Sequence, residues 1–169
     1  MRTITLITTG GTIEKTYDEH SGSLDNRRSI VRRMLRRLRL EDTTINIIEL
    51  MSKDSLHMTD EDRERIAATA RVAAGCEPAP TGIIVLHGTD TLCVTGEKLA
   101  VQPWPVPVVL TGAMRPFEMV RSDALQNLTE AIFAAGTLAP GVYCAAHGRC
   151  LRFPGVMKDR ERGTFVPAR

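Results

Sequence analysis

The chain has 169 residues, 43% of them hydrophobic and 25% charged, with a formal net charge of +2 at pH 7. That suits one soluble globular domain with a real core. With 4% aromatic residues a base-stacking platform is not expected, and so small a net charge does not point to nucleic acid.

No apolar run approaches the roughly 18 residues of a membrane helix. The N-terminal run stops at Thr8-Thr9-Gly10-Gly11 and is too short for a secretory signal. Cys76, Cys93, Cys144 and Cys150 form no C-x-x-C pair, and Cys93 and Cys144 sit among apolar neighbours like small core residues. A reduced, cytoplasmic protein with no disulfide, metal or cofactor is expected.

In chain order, the first element is a continuous apolar run at residues 4–7. Residues 14–25 follow, so poor in apolar side chains that a mobile lid carrying Tyr17 is expected there. Residues 26–38 place Ile30, Met34, Leu35 and Leu38 on one helical face. Residues 27–39 hold Arg27, Arg28, Arg32, Arg33, Arg36, Arg37 and Arg39 with no acid among them. This is read as a solvated face or a contact with an acidic patch on a partner, rather than as a nucleic-acid surface.

A second apolar run covers residues 45–50. A helix over 60–74 follows, with Thr59 as N-cap, Asp62 at capping-box distance, and Ile66, Ala67, Ala70 and Ala74 together. Further runs at 83–86, 106–110 and 142–146 alternate with helical segments at 91–101 and 121–135. Continuous apolar runs are strands covered on both faces. The alternation predicts a single-domain, doubly wound, mostly parallel sheet flanked by helices.

In such a sheet, ligands bind beyond the carboxyl ends of the strands. Those ends read Thr8-Thr9-Gly10-Gly11-Thr12, Ser52-Lys53-Asp54-Ser55, His87-Gly88-Thr89-Asp90-Thr91, Thr111-Gly112-Ala113-Met114-Arg115-Pro116 and His147-Gly148-Arg149. Glycine beside threonine lets backbone N–H groups approach a ligand oxygen and stabilise an oxyanion. A threonine hydroxyl is a nucleophile only where a base takes its proton. The set suits acyl transfer on a small amide better than phosphate chemistry, which calls for a basic cluster or a metal. Taken singly, Thr12 is either nucleophile or turn cap. Asp90 either holds an amine or caps the helix after it. His57 and His87 have no partner at ligand spacing and read as structural.

"TTGGTIE", "LHGTDTL" and "LTGAMRP" together resemble the signatures of the bacterial-type L-asparaginases, in order and intact. The resemblance runs from Thr3 to Val166 and is to the N-terminal domain, so a short, single-domain member lacking the C-terminal domain of the long enzymes is expected. It implies hydrolysis of L-asparagine to L-aspartate and ammonia, with glutamine or another amide as the alternative substrate. A non-catalytic amino-acid-binding module is the alternative outside catalysis. By position, the resemblance makes Thr12 the nucleophile and Tyr17 the assisting loop tyrosine. Thr89, Asp90 and Lys158 become the proton-relay group. Gly11 and Thr89 offer oxyanion amides, and Asp54, Ser55 and Asp90 bind substrate. Where the family commonly has a polar residue and an aspartate after the serine, this chain has Leu56 and His57. A homodimer or tetramer is expected, with Val101, Trp104, Val106 and Phe117 as apolar positions available for association.

Overall fold

The computed structural model describes residues 1–168. Its centre is a six-stranded sheet of β1 (Arg2–Gly10), β4 (Thr43–Lys53), β5 (Gly82–Leu86), β6 (Pro107–Thr111), β7 (Gly141–Ala146) and β8 (Arg149–Arg152). The spatial order is β4-β1-β5-β6-β7-β8. All neighbours are parallel except β8, which returns antiparallel beside β7. Two short antiparallel hairpins stand apart: β2 (Thr16–Asp18) with β3 (Ser23–Asp25), and β9 (Val156–Asp159) with β10 (Thr164–Pro167).

The strands form because their apolar runs are covered on both sides. Alternation along β5 shows the division. Ile83 and Val85 face one core with Ile66, Ala67 and Ala70 of α2 (Asp60–Ala74) and Leu92 and Leu99 of α3 (Leu92–Ala100). Ile84 and Leu86 face a second core with Val31 and Met34 of α1 (Val31–Leu35) and Leu128 and Ala131 of α4 (Ala124–Thr137). The expected doubly wound sheet is therefore present, and its five parallel strands match the apolar runs to within a few residues. Helix α2 starts as its sequence indicates. Thr59 Oγ1 accepts from Asp62 N–H, and the Asp62 carboxylate accepts from Thr59 N–H. Two reciprocal bonds satisfy donors that a helix start otherwise leaves open.

Three expectations need correction. The arginine-rich helix shrinks to five residues, Val31–Leu35. Three of the seven arginines of this stretch pair at the surface with acids from other segments, Arg27 with Asp18, Arg32 with Glu49 and Arg33 with Glu118. The lid does not begin at Glu14, because Ile13 and Glu14 are buried; only the β2–β3 hairpin projects. Of the four apolar association positions, Val101 alone is fully offered, at 86% exposure. Trp104 is buried, with its indole N–H donated to Leu99 O, and Phe117 lies under the Arg33 guanidinium.

The chain leaves β1 for β4 on one side, then returns through α2 to β5 on the other. Strand order thus reverses between β1 and β5, and the crevice beyond their carboxyl ends is where a doubly wound sheet binds ligands. Thr12 follows β1 and Thr89 follows β5.

Both cores should be intolerant of cavities. Ile84→Ala, at a fully buried site in β5, is expected to cost about 2–5 kcal/mol in urea unfolding. Val72→Ala, on the open face of α2 at 72% exposure, is expected to stay within about 0.5 kcal/mol.

Candidate active site

The first turn of the site is built by close backbone approach. Gly11 has φ +80, and a Cβ there would lie 2.4 Å from the Cα and N of Gly88. Glycine at 11 lets the turn after β1 abut the turn after β5, and glycine at 88 makes room for the Ser55 side chain, which a Cβ would meet at 2.5 Å. Gly11 N–H donates to Lys53 O, tying this turn to the end of β4 as well. Thr12 then opens a short 3-10 turn, Thr12–Glu14. On the other side Gly112 is just as crowded: a Cβ would meet His87 O at 2.2 Å. Three glycine-containing strand ends are thereby packed edge to edge.

Beyond this floor, Lys158 Nζ donates to Thr89 Oγ1 at 2.8 Å and to Asp90 Oδ1 at 2.9 Å. Lysine and aspartate are mostly covered, their side chains 16% and 28% exposed. Asp90 is thus turned to Lys158 and makes no cap to α3, whose N-cap Thr91 has no side-chain cap bond. Thr91 Oγ1 donates instead to Ser55 O, joining the Asp54–Ser55 turn to this loop. Arg160 approaches the same Asp90 oxygen at 3.3 Å.

Asp54 precedes the turn Ser55–His57 and accepts from Leu56 N–H. It also accepts from Lys15 Nζ at 2.7 Å. The Lys15 bond, with that of Leu56, holds the Asp54 carboxyl below the usual carboxylate range. Ser55 is buried, and its hydroxyl has no hydrogen-bond partner among the described residues. A buried hydroxyl without a partner is costly.

The histidines serve structure. His87 is fully buried, its Nδ1 beside Gly88 O and its Nε2 beside Thr95 Oγ1, both at 2.8 Å. Since a carbonyl only accepts, Nδ1 carries the proton and Thr95 donates to Nε2. Burial pushes its pKa down to about 4, so the ring is neutral near pH 7. Cys93, close to Lys158, is no rival nucleophile: burial pushes its thiol up to about 11.

The structure brings Gly11, Thr89, Asp90 and Lys158 to one edge, with Thr12 on the abutting turn and Asp54 and Ser55 beside them. It does not bring Tyr17 in. Tyr17 is 61% exposed, and no hydrogen bond joins its hydroxyl to Thr12. Its backbone N–H is held by Glu118.

Several contributors escape sequence reading: Lys15, Arg160, Glu14 and a network at the far side. There, Asp123 accepts from the N–H groups of Met114 and Arg115 and pairs with His147 Nε2 at 2.7 Å. His147 Nδ1 lies 2.9 Å from Thr164 Oγ1 on β10. This fastens the β9–β10 hairpin, and Lys158 with it, to the "TGAMRP" loop. No periodicity or spacing signals such a contact, because its members lie 17 and 24 residues apart.

Residues 3–163 match the family model "Asparaginase, N-terminal", and the chain belongs to that family. The thermostable L-asparaginase from Thermococcus kodakarensis superposes with a TM-score of 0.85 at 29% identity, over 98% of this chain and 51% of that one. L-asparaginase I from Vibrio cholerae shares the fold with a TM-score of 0.80 at 24% identity, over 98% and 51%. In sequence, a glutamyl-tRNA(Gln) amidotransferase component of Methanobrevibacter smithii is 30% identical over 147 residues, 86% of this chain and 33% of that protein. The L-asparaginase of Thermococcus kodakarensis is 39% identical over 84 residues, 48% and 26%. The chain thus spans about half of the solved structures and a third or less of these relatives in sequence.

Glu14 gives the site a pH signature. Its carboxylate accepts from Gly10 N–H and from Ser29 Oγ, under the Thr12 turn. Burial outweighs these bonds and raises its pKa from 4.5 to about 7. The folded state therefore favours the protonated form. This contribution, about 3 kcal/mol by the shift, is complete below pH 4.5 and is lost as pH rises through about 7. Glu14→Gln removes the titration, so melting temperatures of wild type relative to this variant should fall between pH 5 and pH 8.

Proposed function

We propose that this chain hydrolyses a carboxamide of the asparagine type, L-asparagine to L-aspartate and ammonia in the simplest case, through an ester on Thr12. The observation that carries this reading is the Lys158 amine bridging Thr89 and Asp90 beside the Gly11–Gly88 contact. A binding module needs no such relay.

Thr12 Oγ attacks the amide carbon, and its proton passes through the Thr89–Lys158–Asp90 group to the amide nitrogen. The C–N bond breaks, ammonia leaves, and the acyl group remains on Thr12. The backbone N–H of Thr89 is the donor proposed for the oxyanion; Gly11, expected to offer a second, has already given its N–H to Lys53 O. Water then attacks the ester, releasing the acid and restoring the Thr12 hydroxyl. Asp90 stabilises the cation that forms on Lys158. Ser55, with a turn about χ1 off Gly88, meets the substrate carboxylate and gains the partner it lacks. Tyr17 assists only if the β2–β3 hairpin folds toward Thr12, which its exposure and polar anchorage permit.

A second reading follows from the amidotransferase components among the relatives: the same cleavage supplies ammonia to a partner's reaction. Self-association as a dimer or tetramer is proposed with it, supported by Val101 and Phe133, which are exposed apolar side chains at 86% and 66%. Four free thiols suit a reducing compartment such as the cytoplasm. Among the described residues no helix is long and apolar enough to cross a membrane.

Thr12→Ala and Lys158→Met are each expected to lower ammonia release from L-asparagine by at least a thousandfold while circular dichroism and melting stay close to wild type. Turnover within tenfold of wild type in either variant removes that residue from the mechanism. Ser55→Ala is expected to raise KM with little change in kcat, the pattern of lost uniform binding.

A further inference from the structure

Lys15 joins two turns of the site and takes no part in the relay. It follows Thr12 by three residues, and its backbone N–H donates to Thr12 O at 3.2 Å. Its amine reaches the other way, to Asp54 Oδ2 at 2.7 Å. One residue is thus tied by its backbone to the turn that carries Thr12 and by its side chain to the turn that carries Ser55. The two turns also converge on Gly88: a Cβ on Gly11 would strike Gly88, and a Cβ on Gly88 would strike Ser55 Oγ.

A carboxylate that enters at Ser55 needs more than this one hydroxyl. Ser55 is buried, and its Oγ, without a partner among the described residues, offers one donor to two oxygens. The backbone amides that follow are spent: Leu56 N–H on Asp54 Oδ1, His57 N–H on Asp54 O and Met58 N–H on Ser55 O. The Leu56 side chain is apolar and donates nothing. Lys53, the other lysine at this strand end, is bound to Asp62 at 2.7 Å. Lys15 is left. An ammonium has three N–H donors, and among the described residues Asp54 is the one side chain that accepts from it. Its side chain is 24% exposed, open enough for a ligand to reach and covered enough for its charge to count.

We propose that Lys15 determines specificity: its ammonium joins the Ser55 hydroxyl in holding the substrate carboxylate, and so selects amides that carry one. This rests on the hydrolytic reading above and deepens it. Asp54 keeps the amine at the Ser55 turn, and the carboxylate takes a second of its donors in a charge-assisted bond, stronger than a neutral one. The bond is present in the bound substrate and in the transition state alike, so it lowers KM and leaves kcat as it is.

The test measures kcat and KM for L-asparagine in wild type, K15M and K15R. Wild type and K15M are also compared on 3-aminopropanamide, the same amide without its carboxylate. The Lys15–Asp54 pair is part-exposed, so melting should stay near wild type. K15M is expected to raise KM for L-asparagine about tenfold, the lower end for a bond to a charged group. Its kcat should stay close to wild type, and K15R should recover most of the rise in KM. K15M should leave kcat/KM for 3-aminopropanamide unmoved. A KM close to wild type in K15M, or no recovery in K15R, overturns the proposal. So does an equal loss on 3-aminopropanamide, which would make Lys15 a prop for the turn. If that amide is cleaved too slowly to measure, the three proteins on L-asparagine decide. If no amide is hydrolysed, the hydrolytic reading fails by itself, and calorimetry with L-aspartate decides. Weaker binding in K15M supports the proposal; binding equal in both proteins, or absent from wild type, overturns it.

Discussion

The site depends on one amine reaching across the chain. Lys158 meets Thr89 and Asp90 from 69 and 68 residues away, on a hairpin that belongs to no large sheet. A half-buried ion pair gains from its low-dielectric setting only when its geometry is held. Here the holding is done elsewhere. Phe165, opposite Lys158 in the hairpin register, is buried in the core of α2 and α3. Thr164 is bound through His147 to Asp123. The lysine is thus positioned by two anchors on the hairpin strand that faces it, and the third strand-end motif acts as an anchor for this hairpin as well as a wall of the site.

The sheet supplies the complementary constraint. Strand order reverses between β1 and β5, so the turns after these strands part to open a crevice. The glycines at 11, 88 and 112 close it to atomic contact. A methyl group at Gly11 would push the Thr12 turn away from Gly88 and the Thr89 turn with no change in the chemical groups present. The motifs pair each of Thr12 and Thr89 with a glycine because position is set at these turns.

Much of this is legible in the residues alone. Continuous runs such as residues 83–86 mark strands because both faces are covered, and Thr59 with Asp62 marks the start of α2. By resemblance the motifs point to Thr12, Thr89 and Asp90 and the segment "GVMKDRERGTF" to Lys158, and the structure places the last three in contact. The rest is hidden for physical reasons. The β2–β3 hairpin is too polar and too short to show a period, and its polar composition gives no hint that Glu14, at its base, is buried. The apolar spacing of residues 26–38 suggests a longer helix, but three of its arginines pair with Asp18, Glu49 and Glu118 from three other segments, and only Val31–Leu35 remains helical. Trp104 looks available beside two prolines, yet its N–H finds Leu99 O and its ring joins the core. Ion pairs such as Lys15–Asp54 and Arg160–Asp90 link residues 39 and 70 positions apart, a separation that no local pattern reports.

The proposed covalent catalysis on Thr12 is tested most directly by partitioning of the intermediate. Amide hydrolysis is run with increasing hydroxylamine, and product hydroxamate is measured beside ammonia. An ester on Thr12 predicts hydroxamate that rises with hydroxylamine at the expense of the free acid, and neither product from Thr12→Ala. Ammonia release with no hydroxamate at any hydroxylamine concentration, persisting in Thr12→Ala, would contradict it.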